Sequence, residues 1–422
     1  MKRLLYVLLA SVMILAVVSG CGNAPATTGP TTAAAETAKP ADSTAEAEKT
    51  AKESVSVTLW TNFLEEAEML QKYADKWAEK TGNKAAVVQT SIELQQFAQA
   101  ANSADGPDGI FGIANDQLAS FVAANLAEEV PGDFYNDSDY VGAAVQASYV
   151  GGKRFGVPIA VETITLFYNT DKVSSPPSTW DDLLRVAKTS GGIKFDATSI
   201  YYDLGFVRAF DSYIFKWENN TYDIEDIGLG NTGAIQAYSY IKKMVDEGFI
   251  SADITFDIAR SAFESDETAF YIGGPWDVDA FTSAGINFAV AEMPTLNGKT
   301  FVTPVGTQVG FVSSKSAKKD AVWDFYKYLI EEASVELYEV GARIPAKLSV
   351  QQQIEMDETA KSFMHQIASG EPLPSVPELG QLWGPYSDNM RLLFGGTLSP
   401  EEAAQYIEAQ FKEAIELMHS GS

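Results

Sequence analysis

The chain has one cysteine, Cys21, and two histidines, His365 and His419. A single thiol excludes a disulfide within the molecule, and two imidazoles in helical surroundings, without ligand-type neighbours, argue against a zinc site or a Ser-His-Asp triad. Positive charge is scarce as well: 30 Lys and Arg face 57 Asp and Glu, for a net charge of −27. Phosphates would be repelled, which excludes nucleic acid, and the acidity mainly serves solubility. Beyond Val18 no uninterrupted apolar run reaches the ~18 residues that would span a bilayer. A Gly-rich Lys-Ser/Thr phosphate loop is missing too, and Gly228-Leu-Gly-Asn-Thr-Gly233 follows no clear strand, so it reads as a turn. No cofactor and no metal are expected.

What is present begins with Lys2 and Arg3, the apolar run Leu4 to Val18, and Ser19-Gly20 before Cys21. A basic start, a short apolar segment and small residues form a secretory signal peptide, residues 1–20. The residues before Cys21 resemble a lipobox, which implies that Cys21 becomes a lipidated N-terminus held at the bilayer. Residues 21–53 contain Ala, Thr, Pro, Glu, Lys and Ser with no aromatic or large aliphatic side chain, and read as a disordered tether. The body that follows is longer than one core usually supports, which favours two lobes. Its 46% hydrophobic content and seven tryptophans provide ample core.

Val55 to Trp60 alternates as a strand, Leu70, Tyr73 and Trp77 have helical spacing, and Thr81-Gly82-Asn83 stops that helix. Ala85 to Gln89 and Ile110 to Ile113 read as strands flanking a helix around Leu94 to Ala104. Such alternation implies a mainly parallel α/β sheet. Ligands on such sheets bind beyond the carboxyl ends of strands, where Asp116 falls. Glu162 interrupts the apolar stretch around Gly156 to Tyr168 and must be paired, protonated or facing a cleft. Helical patterns occupy Thr179 to Ala187, Ala234 to Glu247, Ala317 to Leu337, Thr359 to Ala368 and Pro400 to Met418. Ala269 to Trp276 reads as a strand ending at Gly273-Gly274, with Pro275 at a helix start and Trp276 at the corner.

Gly106-Pro-Asp-Gly-Ile-Phe111, Pro158-Ile-Ala-Val-Glu162, Tyr168-Asn-Thr-Asp171, Pro176-Pro-Ser-Thr-Trp180, Phe215-Lys-Trp-Glu-Asn219, Tyr222-Asp-Ile224, Glu267-Thr-Ala269 and Gly274-Pro-Trp276 follow one another with characteristic spacing. In that order the chain, from Val57 almost to its end, resembles the maltose/maltodextrin-binding proteins of ABC importers, among the extracellular solute-binding proteins. The resemblance implies a two-lobe periplasmic-binding-protein-like α/β fold, with lobes 54–161 plus 308–355 and 162–307 plus 356–422. It further implies a monomer that takes sugar in the interlobe cleft and delivers it to membrane permease subunits.

By the same resemblance Tyr201, Trp276 and Trp383 fall on aromatic sugar platforms, Asp116 and Glu162 on polar contacts, and Gln117 and Glu65 on further contacts. The chemistry is consistent, because pyranose C–H faces pack on aromatic rings and sugar hydroxyls donate to carboxylates. Departures from the family pattern stand at Leu64, Glu65, Gln117, Ser199, Ile113 and Ser387, of which Glu65 reverses a charge. Bland alternatives exist for each candidate. The tryptophans suit a core, Tyr202 can replace Tyr201, Asp116 can cap a helix, Glu162 can be a satisfied hinge carboxylate, and Glu65 and Glu66 can be acids at a helix start. A secreted glycosidase would need a catalytic acid pair, but Asp181-Asp182 and Glu401-Glu402 read as helix-start charge. A sugar-binding adhesin would share the cleft without needing closure.

Overall fold

The computed structural model describes residues 54–64, 66–103 and 106–420. Cys21 with the expected signal peptide and tether, and Glu65, lie outside the described residues.

Two sheets organise the body. The first has six strands in the order Ile344–Pro345, Val157–Thr163, Val305–Val312, Gly109–Ala114, Ser56–Thr61 and Lys84–Gln89. The second has four, in the order Phe288–Ala291, Thr165–Asn169, Phe270–Gly273 and Ile193–Lys194. Within Ser56–Thr61, Val57 and Leu59 point into the core, and the central strand Gly109–Ala114 is apolar and buried along nearly its whole length. Helix Ala67–Thr81 buries Leu70 and Trp77, as their spacing predicts, and ends at Gly82 in a left-handed cap.

The two-lobed α/β expectation stands, but the sheets are mixed rather than mainly parallel. Ser56–Thr61 pairs in parallel with Lys84–Gln89 and Gly109–Ala114, as the strand-helix alternation predicts. By contrast Val305–Val312 runs antiparallel to both its neighbours, and Thr165–Asn169 does the same in the second sheet. The reason is connectivity: Val157–Thr163 leaves the first sheet where Val305–Val312 returns to it, and segments crossing in opposite senses lie antiparallel when they pair. Another expected element divides in two. The pattern from Ala317 to Leu337 forms helices Lys319–Glu332 and Ser334–Gly341, and the Ser334 hydroxyl at the break bonds back to the Ile330 carbonyl at 2.8 Å.

The crossing segments are tied together. Thr163 Oγ1 lies 2.8 Å from both Thr303 Oγ1 and the Pro304 carbonyl. The Val305 amide donates to the Glu371 carbonyl at 2.8 Å, and the Glu371 amide to the Thr303 carbonyl at 3.1 Å. Helices Trp383–Phe394 and Pro400–Ser420 pack on each other and on Thr232–Asp246.

Candidate functional site

Helix Asn115–Ala123 starts directly after strand Gly109–Ala114, which places Asp116 and Gln117 in its exposed first turn. Asp116 is not the N-cap, since that position belongs to Ala114. The helix is anchored instead by buried Asn115, whose Oδ1 accepts from the Thr307 amide at 3.1 Å and whose Nδ2 donates to Ser375 Oγ at 3.2 Å. Asp116 and Gln117 line a cavity of ≈ 360 Å³ whose opposite wall is Val376, Pro377, Gly380 and Trp383. The Asp116 carboxylate is reachable by solvent yet surrounded by enough protein to raise its pKa. Backbone N–H groups of Asp116 and Gln117 oppose that shift.

A second cavity, of ≈ 460 Å³, contains Glu162 and Trp276, together with Tyr338, Val340 and Arg343. Glu162 stands near the end of strand Val157–Thr163, opposite Gly306. Burial raises its pKa, while the Arg343 guanidinium and the Gln308 amide favour the charged form. Arg343 Nη1 is 3.8 Å from Glu162 Oε2. Gln308, 9% exposed, lies in the neighbouring strand with its Oε1 buried and without a protein hydrogen-bond partner.

Tyr201 is not among the residues lining either cavity. Its phenol is held well above its usual pKa first by burial, then by the negative charge of Glu162, with Tyr202 and Asp116 adding to it. Tyr202 is buried and Tyr201 partly buried, their rings edge-to-face at 5.4 Å.

Trp276 and Trp383 are 41% and 37% exposed, unusual for side chains of this size and contrary to a core role. The corner carrying Trp276 explains its Gly-Gly-Pro sequence: the indole folds over Gly274, where a Cβ would meet the ring at 2.3 Å. Beneath it buried Asp277 accepts from Tyr271 Oη at 3.0 Å and from the Gly274 amide at 3.2 Å. Burial pushes the Asp277 carboxyl up to about 6. Trp383 begins helix Trp383–Phe394, which is tied to Tyr201's helix, Ile200–Ala209, by a 3.0 Å bond from Tyr386 Oη to buried Asp203. Burial lifts the Asp203 carboxyl well above the usual range.

Several readings of individual residues change. Glu66 does stand at the helix start, as the N-cap of Ala67–Thr81, but its side chain makes no cap bond and, 2% exposed, accepts from Arg343 Nε–H at 2.7 Å. Ile113 is fully buried in the core with Phe97 and Phe311 and is not among the residues lining either cavity. Asp182 and Glu402 do sit at helix starts: the Asp182 amide donates to Thr179 Oγ1, and Glu402 accepts from the Ser399 amide while its own amide donates to Ser399 Oγ. Arg343, Gln308 and Asp203 escaped the sequence reading. Asp203 alone carried a usable signal, an acid inside an apolar helix.

Among the described residues no group of three or more His, Cys, Asp and Glu is placed to hold a metal, and no helix is long and apolar enough to cross a membrane. The family model for bacterial extracellular solute-binding proteins matches residues 72–364. The chain belongs to that family. This solute-binding protein is 30% identical over 339 residues to the galactooligosaccharide-binding protein of Bacillus subtilis, covering 75% of this chain and 80% of the relative. It is 28% identical over 282 residues to a maltooligosaccharide ABC transporter solute-binding lipoprotein of Streptococcus pneumoniae, covering 63% of this chain and 66% of the relative. Its fold matches the maltose-maltodextrin binding protein of Alicyclobacillus acidocaldarius with a TM-score of 0.73 and 29% identity, over 85% of this chain and all of the other.

Proposed function

We propose that this solute-binding protein is an extracytoplasmic receptor that captures maltodextrin-type oligosaccharides and delivers them to an ABC permease. The observation that carries the reading is the pair of exposed indoles, Trp276 and Trp383, each sharing a cavity with a partly desolvated carboxylate, Glu162 and Asp116 respectively. Rings supply stacking area and acids accept hydroxyl protons, which together suit a chain of neutral pyranoses. Tyr201, whose phenol feels the negative charge of both acids, is the third candidate ring by the resemblance. Gln117 is an exposed donor and acceptor beside Asp116, and Glu65 stays a candidate contact by the resemblance alone.

The bonded crossing segments around Thr163, Thr303 and Glu371 are the natural hinge, the first two within a few residues of the expected divisions at 161 and 307. Small backbone rotations there close the cleft over a bound sugar. Cys21, lipidated, keeps the receptor beside its permease. The galactooligosaccharide-binding relative supports a second ligand, a galactooligosaccharide, because the same rings and acids fit either sugar.

Calorimetry with maltose, longer maltodextrins, cyclodextrins and galactooligosaccharides decides between them. Binding to an α-glucan is expected. Binding confined to galactooligosaccharides replaces the ligand, release of shortened glucans makes the protein a hydrolase, and no binding at all removes the receptor reading. A Cys21→Ser protein is expected to keep its sugar affinity and lose membrane attachment.

A further inference from the structure

We propose that Arg343 is a ligand contact, donating from its two terminal nitrogens to neighbouring sugar hydroxyls beside Trp276; this rests on the reading of the cleft as an oligosaccharide site. The guanidinium is held before any ligand arrives. Its Nε donates to Glu66 at 2.7 Å, and its plane lies over the Phe63 ring, 4.7 Å from the centroid. The backbone leading to it is committed as well. Ala342 adopts the left-handed region at φ 51°, a conformation that costs a residue with a Cβ, and a Cβ on Gly341 would stand 2.0 Å from Glu66 Oε1 and displace that carboxylate.

This scaffold leaves the other end of the fork unspent. Of a guanidinium's five donors only the Nε–H is taken, and among the described residues neither terminal nitrogen makes a hydrogen bond; Nη1 stands 3.8 Å from Glu162 Oε2. The side chain keeps 28% of its surface and lines the cavity that holds Glu162 and Trp276. A carboxylate that only accepts therefore sits beside a guanidinium that only donates. One sugar hydroxyl can give its proton to Glu162 and receive one from Arg343, while the second nitrogen reaches the adjacent hydroxyl. Lysine, a point charge without a planar fork, cannot span such a pair.

The alternative is that Arg343 does no more than neutralise buried Glu66. Calorimetry with maltotriose, galactotriose and the monodeoxy analogues of whichever binds separates the two, on wild type, R343K and the double variant E66Q/R343M, with urea midpoints recorded. R343K retains a cation for Glu66, and the double variant removes the buried pair together, so one of them remains folded if the other does not. We expect about a tenfold loss of affinity in R343K. We also expect one monodeoxy sugar, bound less tightly than its parent by wild type, to bind the variants as well as the parent does. Unchanged affinity overturns the assignment, as does weaker binding that keeps the wild-type ranking of the deoxy sugars. Tight wild-type binding with R343K unaffected removes Arg343 alone, whereas no wild-type binding to either trisaccharide removes the functional reading and Arg343 with it.

Discussion

Asp116 is held by its own helix, whereas Glu162 is held by side chains from distant parts of the chain. The first acid rides on an exposed turn and is pulled toward its charged form by backbone N–H groups of residues 116 and 117. The second stands on a sheet strand among Gln308 and Arg343, and Arg343 is in turn braced by Glu66, 277 positions away. Both cavities carry an exposed indole, yet Trp276 is folded over a glycine above a buried Asp277–Tyr271 pair, while Trp383 opens a helix fixed by the Tyr386–Asp203 bond. Local construction tolerates change at the acid. Long-range construction makes the acid depend on remote residues.

The strongest way to break this comparison is to remove the rings one at a time. Trp276→Ala and Trp383→Ala are each expected to cut sugar affinity about 100-fold by calorimetry, from the loss of roughly 100 Å² of apolar contact at about 25 cal/mol per Å². Loss confined to one variant would mean that sugar occupies one cavity only.

Next in size, Glu66→Ala strips Arg343 of its brace and is expected to lower stability by about 2 kcal/mol. That is less than for a fully buried pair because the guanidinium is partly exposed. A urea midpoint equal to wild type would show that the long-range brace carries no weight. Asp116→Asn, whose environment is local, should shift the midpoint little.

The smallest effect is that of pH. Burial raises both Asp116 and Glu162, and the carboxylate is the form that accepts from sugar. Affinity is therefore expected to fall on acidification at a higher pH than for ordinary carboxylates, by up to about tenfold per acid. Stability moves the other way. These acids retain protons in the folded state that the unfolded chain has already released, so their contribution grows as pH falls from the folded pKa toward the ordinary value. Asp277, pushed up to about 6, adds in the same direction. Titrations of Glu162→Gln and Asp116→Asn should each flatten part of the affinity profile; profiles identical to wild type would contradict the placement of both acids.

Much of the fold is legible locally. Alternation marks Ser56–Thr61, spacing marks Ala67–Thr81, and Gly273-Gly274-Pro275 marks the corner that exposes Trp276. Each depends on neighbours in sequence, through the periods of strand and helix and the φ preferences of Gly and Pro. The same local rules place Glu66 at a helix start, where it stands, but cannot show that an arginine elsewhere claims its side chain. They also miss Gln308, one polar residue on a strand with nothing in its vicinity to mark it.

The sequence alone determines the order of strands and helices, the acidic surface, the candidate rings and the two acids that stand out from their surroundings. Only the tertiary structure decides strand direction in the sheets, because direction depends on which segments cross between them and return. It alone brings Arg343 to Glu66 and Glu162, and Trp276 into the cavity of Glu162. Those partners are remote along the chain, and their proximity is a product of packing that no local period or turn preference encodes.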